Sequence, residues 1–183
     1  MKKCALIVID LQNEYLPTGK LPLSGIEAAT ANAARVIADA RERGMPVIHI
    51  RHEFANNEAP LFVPGTSGVE IQPCVAPGHD EPVIVKNYVN SFRETNLKQQ
   101  LESRGVESVV IIGAMSHMCV DAGVRAAADM GYPVTVLHDA CATLDLTFNG
   151  VTVPAAHVQA AMMAAFEFGY ATVTSTAAYL ARS

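Results

Sequence analysis

Three reactive side chains, Asp10, Lys86 and Cys119, each fall where a short apolar, strand-length run comes to an end. Asp10 closes run 5–9, Lys86 closes run 82–85, and Cys119 stands a few residues beyond run 108–112 at the start of an Ala-rich segment. A carboxylate, an ammonium and a thiol together can make a nucleophile. A thiol of ordinary pKa about 8.5 is mostly protonated at neutral pH, so it attacks only with a base to take its proton and positive potential to hold the thiolate. Asp10 is a candidate base. A helix beginning at Cys119 carries about half a positive charge at its N-terminus, and a lysine about 4 Å away adds about 4 kcal/mol of gross attraction at an effective dielectric of about 20. The free N–H groups of that first turn would face an oxygen developing negative charge. Each residue alone has a plainer reading: an Asp after a strand caps a loop, and a Cys among apolar residues is inert packing. The packing reading suits Cys4 and Cys141, and also Cys74 in a loop. Only joint placement sets Cys119 apart.

Joint placement needs a fold that ends several strands at one edge. Six apolar, β-branched runs, 5–9, 47–50, 82–85, 108–112, 134–137 and 171–173, alternate with segments of helical spacing at 27–43, 96–104, 119–130 and 154–168. Gly44, Gly105, Gly131 and Gly169 stop these helices, and Pro154 suits a first turn. Continuous apolar strands alternating with amphipathic helices predict a single-domain α/β/α sandwich with a mostly parallel six-stranded sheet, reached by right-handed crossovers. Such sheets bind ligands at the carboxyl ends of their strands, where Asp10 and Lys86 emerge. Stretch 52–81, with four prolines and no period, is too long for an ordinary connection and is assigned to the rim of the site, a partner subunit or both.

Composition narrows the class further. The 183 residues are 50% apolar and 17% charged with a net charge of −5, which excludes a disordered chain and gives no basic patch for nucleic acid or an anionic membrane. The four cysteines form no CxxC pair, so a zinc ribbon or thioredoxin-type motif is excluded, and they read as free thiols in the cytoplasm. The apolar start is too short for a secretory signal and reads as a buried strand, and segment 154–173 is too polar to span a bilayer.

The residues resemble the isochorismatase-like cysteine hydrolases, a superfamily that includes nicotinamidases, N-carbamoylsarcosine amidases, ureidoacrylate amidohydrolases and streptothricin hydrolases. The resemblance rests on Val8-Ile9-Asp10-Leu11-Gln12-Asn13, on Val83-Ile84-Val85-Lys86 followed by Asn90-Ser91-Phe92, and on Gly113 through Val120 continuing into Arg125-Ala126-Ala127. It extends through Gly131-Tyr132 to Asp139-Ala140-Cys141-Ala142 and spans nearly the whole chain. It implies a triad with Cys119 as nucleophile, Asp10 as general acid and base, and Lys86 as electrostatic partner, forming a thioester at a C–N carbonyl. It also implies an oxyanion hole from the backbone N–H groups of Met115 and Cys119, a cis peptide between Ala114 and Met115, and a homodimer or homotetramer. True isochorismatases lack the nucleophilic Cys, so Cys119 points to an amide, lactam, carbamoyl or ureido substrate rather than a vinyl ether. Two departures matter. Where nicotinamidases carry an Asp-x-His metal pair, this chain has Arg51-His52-Glu53-Phe54, so neither metal nor cofactor is expected, although His52 and His79 are possible ligands. Ser116 replaces a frequent Thr and keeps its hydroxyl.

Strand-end loops offer Gln12, Tyr15, Leu16, His52 and Phe54 as pocket walls. Beyond Lys86 and before Cys119 they offer Tyr88, Phe92, Met115 and His117, the aromatic pair being placed to flank a substrate carbonyl. Segment 144–150 is a candidate to reach a neighbouring subunit's site. Two function classes follow: a cofactor-free hydrolase of a small amide-like molecule, or a thiol-based redox sensor or binding protein that uses a Cys119 of lowered pKa without hydrolysis.

Overall fold

The structure is a computed structural model that describes residues 3–55 and 59–182. The chain runs β1 (Cys4–Ile9), α1 (Ile26–Glu42), β2 (Val47–His52), β3 (Val83–Lys86), α2 (Leu97–Ser103), β4 (Ser108–Ala114) and α3 (Cys119–Asp129). It continues through β5 (Val134–Ala142), β6 (Leu146–Phe148), β7 (Val151–Val153), α4 (Ala155–Gly169), β8 (Ala171–Thr174) and α5 (Thr176–Leu180). Six strands form one sheet in the order β3-β2-β1-β4-β5-β8, with every pairing parallel.

The strands are apolar on both faces because both faces are covered. Along β1, Leu6 and Val8 pack with Ala33, Val36 and Ile37 of α1, while Ala5, Ile7 and Ile9 pack with the helices opposite. That second layer includes Leu97 and Leu101 of α2, Val120 and Val124 of α3, and Phe166 of α4. Two-sided burial erases the alternation expected of a half-exposed strand, so continuous apolar runs are the signature here. The α/β architecture is the one anticipated from sequence.

Strand order sets the position of the site. The chain travels outward from β1 to β2 and β3, then returns to lay β4 on the other side of β1. The β1–β4 boundary is therefore the switch point, where flanking connections leave in opposite directions and open a crevice at the strand ends. Ile9 pairs with Gly113 at this boundary. Gly113 has φ 133°, and a Cβ there would lie 2.0 Å from the Ile9 carbonyl oxygen, so only glycine allows the two strands this approach.

Three elements differ from expectation. β5 runs on to Ala142, because a shift in register beyond Ile111 lets Cys141 and Ala142 pair with Gly113 and Ala114. Segment 144–150, expected only as a candidate to reach a neighbouring subunit, enters an antiparallel ribbon of β6 and β7 turned at Asn149-Gly150, whose φ values of 49° and 76° suit that dipeptide. The third is α5, too short to show a period, which starts where the Ser175 hydroxyl accepts from Ala178 N–H at 3.1 Å. Among the described residues no helix is long and apolar enough to cross a membrane.

Candidate active site

Asp10, Lys86 and Cys119 meet at the carboxyl edge of the sheet. Asp10 leaves β1 with φ 51°, a turn that swings it off the strand axis while its N–H donates to Ile50 O at 3.0 Å. Lys86 is the last residue of β3, one strand beyond β2, and its long side chain reaches back beneath the β2 end. Cys119 is the first residue of α3, whose N-cap Met118 makes no side-chain capping bond, so the first-turn N–H groups are not capped by that side chain.

The Lys86 ammonium joins the site. Its Nζ lies 2.8 Å from Asp10 Oδ2, 3.2 Å from Cys119 Sγ and 3.1 Å from His52 Nδ1. The contacts to Cys119 and His52 are hydrogen bonds, and that to Asp10 is an ion pair with both ends fully buried. Burial pulls the ammonium's pKa down, but the charge of Asp10, followed by Cys119, outweighs it and holds Lys86 above its ordinary value. For Asp10 burial dominates and raises the carboxyl, with Lys86 and the Cys119 thiol opposing. Neither Asp10 oxygen receives an aligned hydrogen bond among the described residues. Burial of an unbonded carboxylate oxygen is costly in a merely structural residue and useful in one that must pick up a proton.

Cys119 corrects one expectation. Burial, then the Asp10 charge, pushes the thiol well above its ordinary value despite Lys86, the opposite of the lowering expected from a helix start and a lysine. Cys141 is also buried and pushed up to about 12. Both environments oppose the exposed, low-pKa thiolate that peroxide sensing uses.

Above the sulfur lies a cavity of about 260 Å³ that includes Cys119 in its wall. Tyr15, His52, Phe54, Tyr88 and Met115 line it. Phe62 completes an aromatic cluster, its ring centroid 5.2 Å from Tyr15 and 5.3 Å from His52, both edge-on. Phe62, Leu61 and Phe54 all come from the long 52–81 stretch, whose residues 56–58 lie outside the described set. Leu21, Asn87, Val89 and Met118 also line the cavity and were missed. Val89 and Met118 had a usable signal in their closeness to Lys86 and Cys119, whereas Phe62 sits in a stretch without any period.

Four expected wall residues lie elsewhere. The Gln12 side chain is buried and spent on backbone, donating to His52 O at 2.9 Å and Val69 O at 2.8 Å and accepting from His52 N–H at 2.8 Å. Leu16 lines a separate groove with Asn13 and Thr66. Phe92 packs against the α2–α3 core, and its N–H is turned to Asn90 Oδ1 at 2.9 Å. His117 bonds Thr143 Oγ1 through Nδ1 at 2.7 Å, directed toward the β5 end. Residues near a strand end are ambiguous between wall and anchor: Gln12 and His117 satisfy polar groups, Phe92 fills the core, and Leu16 faces another groove.

The segment between β4 and α3 is held at both ends. Ser116 N–H donates to Ala142 O at 3.0 Å, and its hydroxyl donates to Gln159 Oε1 at 2.6 Å. The Ala114–Met115 peptide is cis. Among the described residues, the N–H groups of Met115 and Cys119 donate to no protein acceptor. His79 is exposed beside Asp80, apart from the buried His52, and no three His, Cys, Asp or Glu side chains cluster as a metal would require among the described residues.

Residues 4–178 match the isochorismatase domain. The isochorismatase family protein YddQ of Bacillus subtilis is 48% identical over 176 residues, covering 96% of this chain and 98% of the relative. A streptothricin hydrolase of Streptomyces noursei is 35% identical, covering 78% of this chain and 50% of that enzyme. Among solved structures, an isochorismatase hydrolase from Oleispira antarctica superposes with a TM-score of 0.95 at 50% identity, covering 98% of this chain and 97% of the other. This extent of likeness, on a sheet that brings strand ends together around a buried ion pair and a thiol, makes the chain a member of the isochorismatase family of hydrolases.

Proposed function

We propose that the protein is a cysteine hydrolase that cleaves the C–N bond of a small amide, lactam, carbamoyl or ureido compound through a thioester on Cys119. The observation that carries this reading is the Lys86 ammonium within bonding distance of both Asp10 and the Cys119 sulfur at the base of the cavity. In the resting state the charges are Asp10 carboxylate, Lys86 ammonium and neutral thiol. Moving the thiol proton to Asp10 leaves one anion beside one cation, so the thiolate forms without adding net charge to a buried site. This resolves the raised thiol: the proton moves when a carbonyl is in place to receive the sulfur electrons.

The Cys119 sulfur forms a bond to the carbonyl carbon, and the idle N–H groups of Met115 and Cys119 receive the oxyanion, each such donor being worth about 3 kcal/mol. Asp10 passes its proton to the leaving nitrogen as the C–N bond breaks, releasing amine and leaving the thioester. Water then adds to the thioester, giving its proton to Asp10, and the C–S bond breaks. The sulfur regains that proton, and the acid product leaves. Each step uses only groups of this chain, and no step calls for a metal or cofactor. The setting is read as the cytoplasm, in keeping with free thiols, and the assembly as a homodimer or homotetramer, supported by the exposed Phe148 and Val151 on the β6–β7 ribbon.

Cys119→Ala tests the mechanism. It should abolish amine release across nicotinamide, N-carbamoyl amino acids, ureido acids and lactams while circular dichroism shows an unchanged fold. Retained turnover would refute the covalent route.

A further inference from the structure

The cavity over Cys119 is built for a substrate without charge. Among the described residues, none that lines it is an Asp, Glu, Lys or Arg. The ionic groups beneath it are already committed, Lys86 to Asp10 at 2.8 Å. Arg93, which lies 3.8 Å over the Tyr88 ring, has Glu94 Oε1 3.9 Å from its Nε. Among the described residues of the wall, His52 is the one that could have become a cation, and Lys86 prevents it. An ammonium has no lone pair, so His52 Nδ1, at 3.1 Å, must be the acceptor and the ring proton must sit on Nε2. Burial and that neighbouring cation hold the ring's pKa down to about 4, so it stays neutral across the physiological range. Nε2 has no protein partner among the described residues, which leaves an uncharged donor in an aromatic wall with Phe54 at 4.9 Å and Phe62 at 5.3 Å between centroids.

We propose that this cavity selects a small neutral carboxamide with an apolar acyl group, and excludes acyl groups that carry a carboxylate or an ammonium. At about 260 Å³ it is below the usual range for drug-sized ligands, which fits a compact branched or single-ring group. The physical basis is desolvation: an ion entering this cavity loses water and meets no counter-charge. The inference rests on the hydrolase reading for its chemistry, but the polarity of the wall is independent of it.

Two measurements separate the two. Amine release by the native protein from isobutyramide and benzamide should exceed that from succinamate and glycinamide by at least ~100-fold in kcat/KM. Calorimetry on the Cys119→Ala protein, which has no nucleophile, should show millimolar or tighter binding of the neutral pair and none of the ions. Val89→Arg adds a cation to the rim without touching the triad and should raise succinamate turnover relative to isobutyramide at least ~10-fold. Selective binding of the neutral pair without any turnover would sustain the cavity inference and sink the hydrolase reading. Equal binding or turnover of succinamate or glycinamide, or binding of neither neutral amide, would overturn the inference.

Discussion

Replacing Lys86 by Met removes the cation beneath Asp10 while keeping most of the side-chain volume, and its cost should depend on pH. In the native protein the ammonium and Asp10 Oδ2 are 2.8 Å apart and fully buried. At an effective dielectric of about 20 that separation gives on the order of 6 kcal/mol of gross attraction, set against several kcal/mol of desolvation for each ion. Without Lys86 the carboxyl has two courses. It stays ionised and unpaired, at about 3 to 5 kcal/mol, or it binds a proton. Protonating a carboxyl of ordinary pKa about 3.9 costs about 4 kcal/mol at pH 7 and about 1.5 kcal/mol at pH 5. The proton route competes at pH 7 and prevails in acid. A folded variant that holds one more proton than its unfolded chain loses stability as pH rises, by about 1.4 kcal/mol per unit. His52 adds to the same trend. Its pKa, held down to about 4 in the native protein by burial and by Lys86, rises in the variant, so acid penalises the native fold more than the variant. The expected cost of Lys86→Met is therefore about 4 kcal/mol at pH 7, shrinking to about 1.5 kcal/mol or less at pH 5. Urea unfolding followed by far-ultraviolet circular dichroism reads it directly. The double variant Asp10→Asn with Lys86→Met should recover most of the loss at pH 7. A cost that does not change with pH, or a double variant whose losses simply add, would refute the ion pair and the acid–base assignment built on it.

Gln12→Leu should destabilise through unpaired backbone and not through lost contact with substrate. It strands the His52 N–H, the His52 carbonyl and the Val69 carbonyl at about 1 kcal/mol or more each, which for a chain of this size lowers Tm by roughly 6 to 12 °C. An unchanged Tm in a thermal scan would show that these bonds do not hold the β2 end. The β6–β7 ribbon exposes Phe148 at 79% and Val151 at 64%, so gel filtration at micromolar concentration should give a dimer or tetramer and Phe148→Asp should shift it toward monomer. A strict monomer in the native protein would make a subunit contact through this ribbon untenable.

The residue types that do chemistry and the elements that carry them were legible in sequence. Two-sided burial makes the strands read as continuous apolar runs, and α-helical spacing with glycine stops marks the crossovers between them. Asp10, Lys86 and Cys119 stand where those patterns break, because a parallel sheet buries its strand interiors and leaves polar side chains at the ends. The Asn149-Gly150 dipeptide is also a hairpin signal, although its flanking strands are only three residues each and show little alternation. Local periodicity carries this much because it reports which face of each element is dry.

Tertiary structure decided which of these groups meet and what the meeting does to them. The order β3-β2-β1-β4 brings Lys86 across β2 to Asp10 and Cys119, and it places His52, 34 residues away, against the same ammonium. It turned Gln12 from a wall into an anchor and drew Phe62 from an aperiodic stretch into the pocket. The thiol shift also depends on the assembled fold. A helix start and a lysine read along the chain predict a lowered pKa, whereas burial and the Asp10 charge raise it. Residue type and period are properties of neighbours along the chain, but desolvation and Coulomb interaction depend on everything packed around a group, and that neighbourhood exists only once the chain has folded.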